Sequence, residues 1–347
     1  MGKKAVSLKD FSEALGISVS TVSRALKNHP DISLEVKKKV HEMAKTLNYQ
    51  VSASGVGFRN ASTKTIGVIV PNMERYFYAS VISGIEAFAR KKGYFIVIAN
   101  SQESYQREIE CVENMVRLNV DGLIMCLTEE TLDYSHFDKV RPKELPLVFF
   151  DRVCRTNEFS SVIADNAEAA KAITCHLADS GSQRIAHIAG PRQLNITRER
   201  VAGYLMALND KGLEFDKDLL IHTGMKPENV IEAVNRLLKL SKRPDAIFCV
   251  NDTAAYVTMK VLRDNGLRIP QDIAVTGFND EFHSSVVAPA LTTVAHPAYE
   301  MGQETARLII SQIESLQPPT PRQIVMKTTL VVRDSSIKQQ PVVAEHH

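Results

Sequence analysis

The 347-residue chain lacks any apolar run close to the roughly 18 residues that a membrane helix needs. Its start, Met1-Gly2-Lys3-Lys4, leads into a polar segment with no apolar signal core. The protein is therefore expected to stay in the cytoplasm, with no membrane partner. CxxC spacing is missing too: Cys111, Cys126, Cys154, Cys175 and Cys249 are odd in number, which argues against a complete intrachain disulfide framework. Apolar settings such as Ile124-Met125-Cys126-Leu127 read as buried free thiols. Nor is there a G-x-G-x-x-G, a G-x-x-x-x-G-K-[ST] or a G-x-S-x-G, so no machinery for catalysis is visible and neither cofactor nor metal is expected. His187 falls in the middle of an apolar run and reads as a core residue.

Net charge is also nearly lacking, at +2, but it is unevenly divided. Residues 1–60 carry ten Lys/Arg against five Asp/Glu, an excess of five positive charges, which leaves the remainder three negative. A small basic segment on a larger, slightly acidic one is expected where only the first part meets a polyanion, although a solvated charged face gives similar counts. What remains is of ordinary globular composition, long enough for two or three domains.

In the basic segment, Ser7 precedes the one-face spacing Leu8, Phe11, Leu15; Asp10 completes an S-x-x-D cap and Gly16 ends the helix. After the Gly16-Ile17-Ser18 turn, Val19, Val22 and Leu26 repeat the apolar spacing, with Ser20, Thr21, Ser23 and Arg24 on other faces. Pro30-Asp31 breaks the chain, and Ser33 caps a third helix with the stripe Val36, Val40, Met43, Ala44, Leu47. Two short helices joined by a Gly-containing turn describe a helix-turn-helix, whose second helix enters the major groove. A plain three-helix bundle with a basic solvated face would give the same pattern.

The residues themselves carry more. Val6-Ser-Leu-Lys-Asp-Phe11, Leu15-Gly-Ile-Ser-Val-Ser-Thr-Val-Ser-Arg-Ala-Leu26 and Glu42-Met-Ala-Lys-Thr-Leu-Asn-Tyr49 closely resemble the headpiece of the lactose-repressor (LacI) family. The resemblance implies that Val19, Ser20 and Arg24 read bases, Arg24 able to bond two acceptors of a guanine edge and Val19 offering only apolar contact. Ser18, Thr21 and Ser23 take phosphate-positioning roles, and Ser7 belongs to the DNA-binding set. Members of the family usually continue with an Ala/Arg/Leu-rich hinge that turns helical on the operator and wedges a leucine into the minor groove. Here the run is Gln50-Val-Ser-Ala-Ser-Gly-Val-Gly-Phe-Arg59, with Phe58 at the wedge position. Phenylalanine can unstack base steps, but Gly55 and Gly57 each cost a helix about 1 kcal/mol relative to alanine. A flexible linker is the alternative. Phe58→Ala is expected to weaken specific binding.

From Thr65 onward, apolar runs alternate with amphipathic helices: 66–70, 95–99, 122–126 and 146–150, then 184–189, 245–250 and 272–277, with helices such as 227–240 and 253–265. A twice-played βα series implies two doubly wound parallel-sheet halves with a cleft at the carboxyl ends of the strands. This resembles the periplasmic-binding-protein type I fold of the same family. The expected domains are a helix-turn-helix at 1–49, a hinge at 50–64, an effector-binding and dimerisation domain at 65–334, and a tail at 335–347. The first half is read as 65–164 and 292–320, the second as 165–291 and 321–334.

The strand ends carry carboxylates, amides and guanidiniums among aromatic rings, the mixture that bonds hydroxyls and stacks on a sugar face. By the resemblance, Phe77, Tyr78, Asp151, Arg152, Arg198, Asn251, Asp280 and His296 contact the effector, with Arg200 a further candidate. Asp165, Asn166 and Asp252 read equally as caps. The effector is expected to be a sugar or sugar derivative, and the arginines also admit a sugar acid, a phosphorylated sugar or a purine. The implied function is a DNA-binding transcription regulator, a repressor whose operator affinity a small molecule controls. It would form a homodimer on a near-palindromic double-stranded operator, with the Ser80–Lys92 helix as the implied dimer contact. A soluble sugar receptor without DNA function is the rival, since the large domain would serve either purpose.

Overall fold

The computed structural model describes residues 7–26, 28–47, 62–140, 145–315, 317 and 320–338. The chain divides into two compact units between Ala61 and Ser62. Tyr49, Gly55, Gly57, Phe58 and most of the expected hinge lie outside the described residues.

The first unit holds three helices, α1 (Leu8–Leu15), α2 (Val19–Leu26) and α3 (Leu34–Thr46). Local chemistry sets their limits. The Ser7 hydroxyl accepts from the Asp10 amide while the Asp10 carboxylate accepts from Ser7, a reciprocal capping box. Gly16, at φ +63°, ends α1 in the left-handed conformation that costs glycine nothing. The Ser12 hydroxyl donates to the Ile17 carbonyl at 2.6 Å and pins the turn before α2. Phe11, Val22, Ala25 and Val40 form the core, with Leu8, Leu15, Ile17, Leu26 and Val36 packed around it. Two residues of the expected stripes differ: Val19 is 42% exposed and Leu47 also faces outward, and Ala25 supplies the packing on α2.

The second unit is built from two similar halves. In the first, β1 (Thr65–Val70), α4 (Tyr76–Lys91), β2 (Phe95–Asn100), α5 (Tyr105–Arg117), β3 (Gly122–Met125), β4 (Leu147–Phe150) and β5 (Ser160–Ala164) follow in turn. The second contains α6 (Asn166–Asp179), β6 (Ile185–Ala189), α7 (Asn195–Asp210), β7 (Leu220–His222), α8 (Pro227–Leu238), β8 (Ala246–Cys249), α9 (Asp252–Asp264), β9 (Ala274–Thr276) and α10 (His283–Val286). The chain ends with β10 (Thr293–Ala295), α11 (Ala298–Ile313), β11 (Gln323–Met326) and β12 (Thr329–Val331). One sheet runs β11-β5-β4-β3-β1-β2 and the other β7-β6-β8-β9; all their pairings are parallel. Each first strand lies inside its second, the doubly wound order that opens a crevice at the strands' carboxyl ends.

The division between halves departs from the expected one. Residues 292–295 belong beside β9, through bridges Thr276 to Thr292 and Asn279 to Ala295, and pair antiparallel with β12. Residues 323–326, expected in the second half, pair with β5 in the first. The chain thus crosses between halves three times, after β5, after β10 and after β11. Asp165 ties two crossings together: its carboxylate accepts from the amide and hydroxyl of Thr328 and pairs with Lys327 at 3.2 Å. The domain also begins earlier and ends later than expected. The Asp121 carboxylate holds the Thr63 and Lys64 amides at 2.8 Å, and Ser335 and Ser336 are fully buried, Ser335 donating to the Val275 carbonyl at 2.6 Å.

β2, read as a buried strand, is a sheet edge with Phe95, Val97 and Ile98 exposed. Close helix crossings occur in both halves. A Cβ on Gly84 would stand 2.0 Å from the Tyr299 carbonyl oxygen, one on Gly302 2.1 Å from that of Val81, and one on Gly203 2.1 Å from that of Ala167, so α4 meets α11 and α6 meets α7 at backbone distance. All five cysteines are free, and His187 is buried in β6, stacked on Phe248 at 4.3 Å. Among the described residues, no helix is long and apolar enough to cross a membrane.

Candidate functional site

On α2 the expected DNA-facing side chains run from Val19, Ser20 and Thr21 in the first turn to Arg24 in the last. Val19, Ser20 and Arg24 are exposed, and Thr21 and Ser23 are half-buried. Ser18 caps the helix: its hydroxyl accepts from the Thr21 amide at 3.1 Å and lies 2.7 and 2.8 Å from the Ser20 and Thr21 hydroxyl oxygens. This hydroxyl cluster marks the positive end of the helix dipole, a natural seat for a phosphate. Ser7 is occupied by its capping box with Asp10, at the start of α1.

In the larger unit, the loops after β1, β4, β8 and β9 meet at a small cavity. Phe77, Tyr78, Asp151, Arg152 and Asn251, all expected, line it. Arg75, Ile196, Arg200, Met225, Val250 and Asn279 complete it. Tyr78 and Phe77 meet edge to face at 5.2 Å, and both ride on the first turn of α4. Backbone strain gathers here as well: Asp151 (φ +57°), Glu103 (φ +57°), Asn279 (φ +122°) and Asp280 (φ +54°) hold left-handed conformations that non-glycine residues keep only where surrounding structure compels them.

Three expected residues are placed elsewhere. Arg198 is exposed and donates to the Gln193 carbonyl, whereas Arg200, two positions on, is buried in the site. Asp280 does not line the cavity: its carboxylate pairs with Arg333 at 2.8 Å and accepts from the Ser284 hydroxyl. Its neighbour Asn279 lines the wall instead. His296 sits behind Phe77, ring to ring at 4.8 Å, and neither of its nitrogens has a hydrogen-bond partner among the described residues. Burial, reinforced by the Arg200 charge, pushes its imidazole down to about 3, so it is neutral at neutral pH. Asp252 is structural, accepting from the Thr293 hydroxyl and the Glu281 amide, and Asn166 orients Arg200.

The charges form two nests. Arg152 is almost wholly buried; one nitrogen reaches Glu103 at 2.8 Å and the Leu127 carbonyl at 3.2 Å. Burial acts to raise the Glu103 carboxyl, but the guanidiniums of Arg152 and Arg75 hold it below its ordinary value. Arg200 donates to Asn166 at 2.9 Å and to the Val250 carbonyl at 2.6 Å, with its guanidinium 3.6 Å from the centre of the Phe278 ring. Burial lowers it to about 10, still charged at neutral pH. Burial raises the Asp151 carboxyl, against the pull of Arg200 and Arg152.

Several contacts join the two halves across the cleft. The Asn195 side chain accepts from the Val153 amide and donates to the Asp151 carbonyl. Gln193 donates to the Glu129 carbonyl, and the Glu129 carboxylate accepts from the Met225 amide at 3.2 Å. The space left is about 20 Å³, room for a water-sized body and far short of the several hundred Å³ of a typical small-molecule site. This is a closed arrangement of two halves whose facing walls are polar, charged and aromatic.

Comparison with known proteins places this combination. Residues 7–52 match the family model for bacterial regulatory proteins of the lacI family, and residues 174–336 match that of a periplasmic binding protein-like domain. Catabolite control protein A of Priestia megaterium is 32% identical over 308 residues, covering 88% of this chain and 91% of that protein. The chain belongs to the lacI family of regulators. The transcriptional repressor PurR of Vibrio atlanticus is 28% identical, over 88% of this chain and 92% of its own. Among solved structures, the transcriptional regulator CelR, in complex with cellobiose, superposes with a TM-score of 0.74 at 27% identity, over 95% of this chain and 99% of its own. This regulator therefore couples a DNA-binding headpiece to an effector-binding domain, and its relatives are regulators of transcription, not enzymes.

Of the cavity-lining residues that sequence reasoning missed, Asn279 and Arg75 were visible as strand-end polar residues. Met225 follows β7, a three-residue strand with no apolar run to announce it.

Proposed function

We propose that this regulator is a repressor that binds a near-palindromic operator as a homodimer in the cytoplasm, and that a small polar effector, a sugar or sugar derivative, tunes its affinity. The observation that carries the reading is the cleft: Phe77 and Tyr78 from one half face Arg200, Asn251 and Asn279 from the other, so one ligand can bond both halves at once. Binding in such a cleft selects one arrangement of the halves, and the coupling to DNA must be reciprocal.

On the DNA side, Ser20 and Arg24 read base edges, Val19 contacts a thymine methyl, and Ser18, Thr21 and Ser23 position the helix on phosphates. The exposed apolar edge of β2 and the adjoining face of α4 form the dimer contact, since an uncovered apolar edge invites a second copy. Division of the chain between Ala61 and Ser62 into a headpiece and an effector domain fits these roles.

The experiment is selection of operator from a random duplex pool, followed by affinity measurement over a salt series. Arg24→Ala should relax base preference at one position of each half-site and cost about 1–3 kcal/mol per half-site. Operator affinity should fall steeply with salt. Binding that is insensitive to salt, or an Arg24→Ala protein with unchanged preference, refutes the assignment.

A further inference from the structure

The effector site already contains an occupant. Met225, on the loop between β7 and α8, places its sulfur where donors from both halves converge: Arg75 Nη1 at 3.4 Å, Arg152 Nη2 at 3.4 Å and Asn251 Nδ2 at 4.0 Å. A thioether is a neutral, weak acceptor, poorly matched to two guanidiniums. The mismatch is only partly repaired elsewhere, through the charges of Glu103 and Glu281. Arg152 spends one terminal nitrogen on Glu103 and Leu127, while its Nε is buried with no hydrogen-bond partner. Arg75 forms no ion pair among the described residues, and its other terminal nitrogen donates to the Met225 carbonyl at 3.1 Å.

Two guanidiniums and an amide N–H aimed at one point suit an oxyanion, which takes short charge-assisted bonds from each. Net charge alone does not decide the matter, because the Asp151 carboxyl lines the same cavity, Glu103 pairs with Arg152, and Glu281 feels the Arg75 charge as well as being bonded by Asn279 and Thr253. Glu129 is occupied by the Met225 amide. Convergence of under-used donors decides it. Met225 can leave by its own rotamers, since it is unbranched and has three rotatable side-chain bonds.

We infer that the effector carries a phosphate or carboxylate group, which displaces the Met225 sulfur and binds Arg75, Arg152 and Asn251. The inference rests on the sensor reading above and narrows it to anionic polyols. Phe77 and Tyr78 then flank the neutral part of the ligand, and the methionine holds the site closed in its absence.

The test uses the full-length protein and a matched set of probes: glucose, glucuronate, glucose 6-phosphate and inorganic phosphate, against chloride at equal ionic strength. Thermal shift and calorimetry give affinities for wild type, Arg75→Gln and Met225→Ala. The anionic sugars are expected to bind at least about tenfold tighter than glucose, and inorganic phosphate alone should raise the melting temperature. Arg75→Gln should lose about tenfold or more of the anion affinity, and Met225→Ala, freed of the competing sulfur, should gain it. The better of the two sugars tells phosphate from carboxylate.

Glucose binding as tightly as its anionic counterparts overturns the inference and leaves the sensor reading standing. So does an anion affinity that neither variant moves. If Arg75→Gln fails to fold, the wild-type ranking and Met225→Ala decide. Phosphate indistinguishable from chloride also overturns it. Operator affinity that no small molecule changes refutes the sensor reading itself.

Discussion

Phe11→Ala separates the two units by their stability. Phe11 is fully buried at the centre of a core that has, among the described residues, three other fully buried apolar side chains, Val22, Ala25 and Val40. At about 0.05–0.15 kcal/mol per residue, a headpiece of some forty residues has about 2–6 kcal/mol in all. Truncating a buried phenylalanine costs about 3–5 kcal/mol. With about 3 kcal/mol available and 4 lost, the folded fraction falls to roughly 0.16, which weakens DNA binding about sixfold per headpiece and about 40-fold for a pair. Circular dichroism and calorimetry should show early loss of helix and an effector-domain transition at its wild-type temperature. Operator affinity should partly recover on cooling from 37 °C to 20 °C. A headpiece that stays folded, or an effector-domain transition that falls by the same amount, refutes the reasoning.

Gly302→Ala is expected to lower the melting temperature of the effector domain by several degrees, since the new methyl would stand 2.1 Å from the Val81 carbonyl oxygen and force α4 and α11 apart at a cost of about 1–3 kcal/mol. At an open helix position the same change would gain about 1 kcal/mol, so the sign of the shift is the test. Burial pushes Asp252 up to about 7, far above an unfolded aspartate near 3.9, so its contribution to stability is complete below about pH 4 and is lost as pH rises through 7. Urea titrations of Asp252→Asn should lack that loss relative to wild type; an identical pH profile refutes it. Phe95→Glu, at a side chain 76% exposed on the edge strand, should convert the proposed dimer to monomer in sedimentation experiments. A dimer that persists moves the interface elsewhere.

The headpiece was legible because its determinants are local. Ser7 with Asp10, Gly16 and Ser33 mark helix ends within four residues of the groups they satisfy, and the Leu8, Phe11, Leu15 spacing names the inner face. The strands that went unread are those whose burial depends on distant partners. β5 begins with two serines that are buried only because β4 and β11 flank it, and β7, β10 and β12 are three residues long. The misplaced site residues have geometric causes. On α7, two positions turn a side chain through about 200°, which carries Arg198 to solvent and Arg200 to the cleft. After β9 a shift of one residue changes the face, so Asn279 looks inward while Asp280 serves Arg333. Pattern names the neighbourhood; only the backbone path names the residue.

The three crossings between halves have a consequence for synthesis. The headpiece has its whole core once residue 47 has left the ribosome, and it can fold while most of the chain is still unmade. Neither half of the effector domain can be completed until the end. The first waits for β11, which supplies its sixth strand, and the second waits for β12 and for Ser335, which fastens Thr292 and Val275. The first sheet therefore closes late, through a pairing of residues 162 apart in sequence, and the second half is fastened late by contacts that span 34 to 60 residues, so slow completion is expected. A nascent chain arrested near residue 320 would carry a finished DNA reader on an unfinished sensor.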